Sequence, residues 1–128
     1  METISVSNEV RGILSLTFRG EVKDMSDVGQ LKVDIEKVSK AIKNLHDAQN
    51  KGVRVLIDIV GFSADYVSEG IDALITLARS DKDLVEKTAV FGGSTKIQVI
   101  GETIVALAGR RNIKFFETKA EAIIWLES

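Results

Sequence analysis

The sequence predicts an α/β fold: a mixed central sheet, opened by an N-terminal hairpin and continued by strand–helix crossovers, with about four helices packed against it. Three observations carry this. Leu14, Leu16 and Phe18 alternate with Ser15 and Thr17, the period of a half-buried strand. Residues 53–60 form an almost unbroken apolar run, as expected of a strand covered on both faces of a parallel sheet. The strand-like runs at 53–60 and 87–91 are each followed by apolar residues spaced three and four apart, the stripe of an amphipathic helix.

In order, residues 3–7 and 13–18 are the two hairpin strands, joined by a polar connection ending in Gly12. From Val28 to Leu45 the apolar positions Val28, Leu31, Ile35, Val38, Ile42 and Leu45 define one long helix. The seam is short for a coiled coil, so packing against the sheet is expected. The strand at 53–60 leads to a helix carrying Val67, Ile71, Leu74 and Ala78. A strand at 87–91 precedes a helix with Ile97, Ile100, Ile104 and Leu107, closed by Gly109. The last strand is residues 113–116, and Thr118 with Glu121 forms a capping box for a final helix reaching about Leu126. The 128 residues read as one domain without proline, repeat or linker.

Composition narrows the function classes. The absence of cysteine excludes disulfides, thiolate nucleophiles and Cys-based metal sites, and one histidine excludes multi-histidine centres. A net charge of −2 offers no overall footprint for nucleic acid or an acidic membrane surface, so neither is expected as a partner. The first residues lack the pattern of a secretory signal and no apolar stretch approaches a membrane span, which makes the cytoplasm the expected location. No cofactor and no metal are expected.

Ligands and partners of such sheets meet the loops at the carboxyl ends of the parallel strands. Those loops are expected at 61–65, 92–95 and 117–118, beside the link after Phe18. The first contains Gly61, Phe62, Ser63 and Asp65 and runs on through Tyr66, Ser68, Glu69 and Gly70. Its helix starts either at Ser63 or Ala64, or with Ser68 as the cap. Capping chemistry alone accounts for Ser63, Asp65 and Ser68. The acids there favour the helix start and repel an anionic ligand. The second loop, Gly92, Gly93, Ser94, Thr95 and Lys96, combines close-approaching backbone, hydroxyls and a cation at a helix start, the setting for an anion. It lacks the spacing of a nucleotide-binding loop, and Thr95 with Gln98 reads equally as a capping box.

His46 and the pair Arg110 and Arg111 sit at helix ends, where cations are favourable. Trp125, Phe115 and Phe116 read as packing residues, while Tyr66 and Phe62 flank the first loop and could line a small apolar pocket. Ser63 and Ser68 have no neighbouring histidine or lysine in sequence and no pair of groups makes a nucleophile–base arrangement, so no catalytic residue is expected.

The order of elements, the strand–loop–helix from Leu56 to Leu74, and the segment KTAVFGGSTKIQVIGETIVALAGRRNIKFFETKAEAIIWL together resemble the SpoIIAA-like proteins of the STAS/SEC14-type superfamily. The resemblance implies a STAS/SpoIIAA-like single domain over 1–128 and a role in bacterial regulation or binding rather than catalysis. Anti-sigma-factor antagonists of the STAS family carry Asp-Ser-Ser-Gly in the loop after the third strand, and the serine before the glycine is phosphorylated. Aligned on Gly70, that position holds Glu69 and the preceding one Ser68. Glutamate supplies one fixed charge where phosphoserine supplies about two that come and go. The chain is therefore locked in one state, switches on Ser68 or Ser63, or is no phospho-switch; the last is favoured.

The SEC14 side implies an apolar ligand such as a lipid tail, lined by Phe62, Tyr66, Val67 and Ile71, with Gly92 and Gly93 admitting its head. Two expectations follow: a non-catalytic module engaging another protein through 63–70 and 92–96, or a small apolar-ligand or lipid carrier with a cavity of several hundred Å³. An enzyme would need Asp65, Lys96 and Ser94 within hydrogen-bond reach. A homodimer could form through an edge strand or the long helix.

Overall fold

The computed structural model describes residues 3–8, 12–63, 68–80 and 82–128. Five strands and four helices follow one another as β1 (Ile4–Asn8), β2 (Ile13–Glu21), α1 (Met25–Gln49), β3 (Val53–Ser63), α2 (Ser68–Ser80), β4 (Val85–Phe91), α3 (Thr95–Ala108), β5 (Ile113–Phe116) and α4 (Lys119–Glu127). The sheet order is β1-β2-β3-β4-β5, with β1 antiparallel to β2 and every later pair parallel.

This order explains the layers. Three successive crossovers step the same way across the sheet, so right-handed connections put α1, α2 and α3 on one face. The fourth helix has no further strand to reach and covers β3, β4 and β5 from the other side. Alternation along the strands then divides the core. Leu14, Leu16 and Phe18 of β2 and Val53, Val55 and Ile59 of β3 pack toward the three-helix layer. Ile13, Leu56, Ala89 and Phe91 meet Ala122 and Leu126 of α4 on the opposite face.

Both central strands run past the expected ends. Residues 53–60 and 13–18 were expected as strands, but the ladder continues with Arg19, Gly20 and Glu21 opposite Gly61, Phe62 and Ser63. Hence Gly61 is not the start of a loop. The register shifts between Thr17 and Arg19, leaving Ile59 and Val60 opposite Phe18 alone, a β-bulge. The extra residue reverses the alternation: Ile59 and Phe62 both face the same core, while Val60 turns outward and is 66% exposed. Val60 N–H donates to the Asp58 carboxylate at 2.9 Å, which ties down the bulge.

The helix ends follow their caps. The first helix starts three residues before the expected stripe because Asp24 caps it, accepting from Asp27 N–H at 2.9 Å. It ends at Asn50 in the left-handed conformation, whose N–H reaches His46 O. For α3 the cap is Ser94, accepting from Ile97 N–H, so Thr95 is the first helical residue rather than the cap. Gly109 closes α3 as expected, and Thr118 caps α4 with Glu121 hydrogen-bonded to its hydroxyl. The second helix begins at Ser68, which overturns a start at Ser63.

Candidate functional site

Since β2 to β5 are parallel, their carboxyl ends Glu21, Ser63, Phe91 and Phe116 share one rim, together with the starts of all four helices. At its centre the link after β4 lies directly on the β3 bulge. Gly92 and Gly93 have φ of +83° and +81°, a region that disfavours side chains. Space demands glycine as well. A Cβ on Gly92 would collide with Val60 Cγ2, and one on Gly93 would stand 2.9 Å from Ile59 Cδ1. The two expected loops are thus adjacent through Ile59 and Val60, although Gly61, Phe62 and Ser63 belong to the strand.

The 92–96 link is committed to structure at several atoms. Gly92 N–H donates to Phe116 O at 3.3 Å, Gln98 Nε2 donates to Gly92 O at 3.1 Å, and the Ser94 hydroxyl accepts from Ile97 N–H. An anion would therefore compete with existing bonds for part of the expected donor set. Ser94, Thr95 and Lys96 are nevertheless exposed on the rim.

The start of α2 is placed by packing. Gly70 is buried, with Val22 and Val28 where its side chain would be, so the first turn docks on the β2–α1 link. Ser68 and Glu69, the positions aligned with the phosphorylatable pair, are exposed beside it. Asp65 and Tyr66, like Val67, lie outside the described residues, so the acid–base set requiring Asp65 does too. Phe62 is only 8% exposed and makes an edge-on contact with Phe18, ring centroids 5.4 Å apart. It is core rather than an open rim surface.

Beneath the rim, between the sheet and α1 to α3, lies a cavity of about 160 Å³. Its walls are almost wholly apolar and include Phe62 and Ile71, as the ligand expectation named. Its volume is below the several hundred Å³ expected of a carrier. The polar wall residues Thr88 and Arg110 satisfy one another, Arg110 donating to the Thr88 hydroxyl at 3.3 Å. Arg110 also donates to Ala78 O and Asn112 Oδ1, which makes it an internal clamp between α2, β4 and the α3–β5 link. Its neighbour Arg111 is exposed. His46 is half-buried in the last turn of α1, with Nδ1 3.6 Å from Asp47.

Sequence reasoning missed three participants. Val60 was read as the end of a buried strand; only pairing with β2 reveals the bulge that exposes it. Val22, behind Gly70, lies in a short link without pattern. Asp34 lies on α1 beside the apolar stripe and is fully buried, its carboxylate accepting from Thr3 N–H at 2.6 Å, Ile4 N–H at 3.1 Å and Gln30 Nε2 at 2.9 Å. Among the described residues no group of three or more His, Asp or Glu could hold a metal ion, and no helix is long and apolar enough to cross a membrane.

Solved structures share this arrangement. A crystal structure of an uncharacterized protein of the DUF3478 family, with a SpoIIAA-like fold, from Shewanella loihica PV-4 is 18% identical. It matches over 96% of this chain and 91% of its own, with a TM-score of 0.63. The unphosphorylated form of the anti-sigma factor antagonist SpoIIAA is 16% identical, over 98% of each chain, with a TM-score of 0.60. An anti-sigma factor antagonist from Mycobacterium paratuberculosis is 16% identical over 98% of this chain and 94% of its own, with a TM-score of 0.62. No curated protein sequence matches the chain. The SpoIIAA-like family model matches residues 13–127, the whole span from β2 to the end of α4, and the chain belongs to the SpoIIAA-like family.

Proposed function

We propose that the protein is a regulatory interaction module that engages another protein through the rim, without chemistry of its own. The observation that carries this reading is the seating of the Gly92–Gly93 link on the β3 bulge. Gly92 packs on Val60, an exposed apolar residue, and the chain runs on through Gly93 into the exposed Ser94, Thr95 and Lys96. An apolar centre with a polar border is the composition of a protein-binding patch. Ser68 and Glu69 extend the border, and Asp65 and Tyr66 belong to the same proposed face by sequence. The likeness to anti-sigma factor antagonists, one of which is known in unphosphorylated and phosphorylated forms, supports a regulatory role in the bacterial cytoplasm. With Glu69 at the aligned position, constitutive binding is favoured over a phosphorylation switch; Ser68 and Ser63 are the serines to watch.

Capture from the host with Val60→Asp and Glu69→Arg, against Ile124→Asp on α4 as a control, tests the proposal. Ile124 is 71% exposed, so all three changes should leave stability within about 0.5 kcal/mol. A partner retained by the control and lost by both rim variants is expected; a partner retained by all three refutes the reading.

The cavity supports a second reading, a small apolar ligand held between the sheet and α1 to α3. A dry cavity of roughly 150 Å³ accommodates benzene, so about 160 Å³ suits a molecule of that size rather than a whole lipid tail. Native mass spectrometry of protein purified from its host should then show a bound mass of that order, and bare protein counts against it.

A further inference from the structure

The net charge of −2 conceals a sorting of charge along the strand direction. At the rim, residues 19–27, 58–63, 68–72, 91–96 and 117–121 hold eight carboxylates against four lysines and arginines. At the opposite end, the side chains of residues 43–54, 79–80, 82–87, 110–112 and 127–128 include eight lysines and arginines against four carboxylates. The two ends thus carry equal and opposite excesses among the described residues.

Helix capping explains only part of this. Acids at helix starts and cations at helix ends complement the backbone dipoles, and Asp24 and Glu121 are engaged in caps. Lys51, Lys82 and Arg111 lie beyond the ends of α1, α2 and α3, and all three are exposed. Each end also presents a protruding apolar side chain: Val60, 66% exposed, at the acidic rim and Leu107, 57% exposed, at the basic end.

We infer that the protein associates with a second copy head to tail, the acidic rim of one molecule seated on the basic end of the next. What points to this occupant is the complementarity of the molecule's own ends in charge, with exposed apolar side chains at both: Val60 and Met25 at the rim and Leu107 at the basic end. Such a contact uses two different surfaces, so it does not close on itself as a two-fold dimer does and leaves a free rim and a free basic end to add further copies. It differs from pairing by an edge strand or by α1. Attraction of this kind steers association and is screened by salt.

Sedimentation velocity of the pure protein in a salt series tests it, independently of any foreign partner at the rim. Species larger than two copies are expected at about 20 mM NaCl, with association weakened at least about tenfold by about 300 mM. Glu69→Gln with Asp72→Asn halves the acidic excess of the rim, and Lys82→Gln with Arg111→Gln halves the basic excess of the opposite end. Each double variant alone should associate about tenfold less than the unaltered protein at low salt. Mixed in equal amounts they should form complexes that stop at two copies, because only one intact pair of ends remains. Monomer at every salt concentration, an oligomer indifferent to salt, or a mixture that stays monomeric would each overturn the inference. The unaltered protein's salt series decides the matter even where a variant fails to fold.

Discussion

Gly70 rests against Val22: a Cβ on the glycine would stand 3.0 Å from Cγ1 of the valine. The start of α2, with Ser68 and Glu69, is thereby fixed to the link between β2 and α1. Alanine at position 70 would gain about 1 kcal/mol of helix propensity and spend much of it displacing Val22, so a net change within about 1 kcal/mol is expected. Leucine overfills the contact and should cost about 1–3 kcal/mol. Urea unfolding of both, alone and with Val22→Ala, checks the coupling. Val22→Ala should recover part of the loss with leucine, by at least about 0.5 kcal/mol beyond additivity.

Asp34 ties the N-terminal strand to α1. Its carboxylate is fully buried and holds the N–H groups of Thr3 and Ile4, where β1 begins. Asp34→Ala strands these donors and Gln30, a loss of about 2–4 kcal/mol in urea unfolding. Asp34→Asn keeps an acceptor oxygen and should lose less. Amide exchange should show the damage concentrated in the β1–β2 ladder, with β4 and β5 protected as before; uniform loss of protection would refute a local tie.

How much of this was legible depends on how local its cause is. Caps at Thr118 and Gly109, and the apolar stripe of α1, need only nearby residues and were read correctly. The bulge at Ile59 and Val60 depends on how β3 registers with β2, more than thirty residues earlier, and no pattern within β3 announces it. That single shift changes the site: Gly61 and Phe62, read as loop, become strand, and Val60 comes to the surface. Gly92 and Gly93 were read as permissive for a ligand, but what approaches them is the chain's own Val60 and Ile59. Asp34 escaped notice because a carboxylate beside an apolar stripe looks solvent-facing until a strand covers it.

The contact of Gly92 with Val60 should be among the least tolerant in the molecule. Gly92→Ala meets both a φ of +83° and the Val60 side chain, and about 1–3 kcal/mol should be lost. Val60→Ala alone removes a largely exposed side chain and should change stability by less than about 0.5 kcal/mol. Combined with Gly92→Ala it relieves the collision while leaving the backbone strain, so the double variant should recover part of the loss. Full recovery would show that φ imposes no strain, and no recovery would show that space is not limiting.

The adjacent arginines after α3 should behave oppositely, although the sequence presents them as one basic pair. Arg110 uses three guanidinium nitrogens in three directions, to Asn112, Ala78 and Thr88. Lysine carries the charge but not the planar fork and cannot reproduce that geometry. Arg110→Lys should therefore cost about 1–2 kcal/mol and Arg110→Met about 2–3 kcal/mol, since both leave polar groups of Thr88 and Ala78 without their donor. Arg111 is exposed, and Arg111→Met should fall within about 0.5 kcal/mol of the unaltered protein. Thermal and urea unfolding of the four proteins separates the roles. Equal losses at the two positions would mean that charge at the end of α3, rather than the fork of Arg110, holds the α3–β5 link in place.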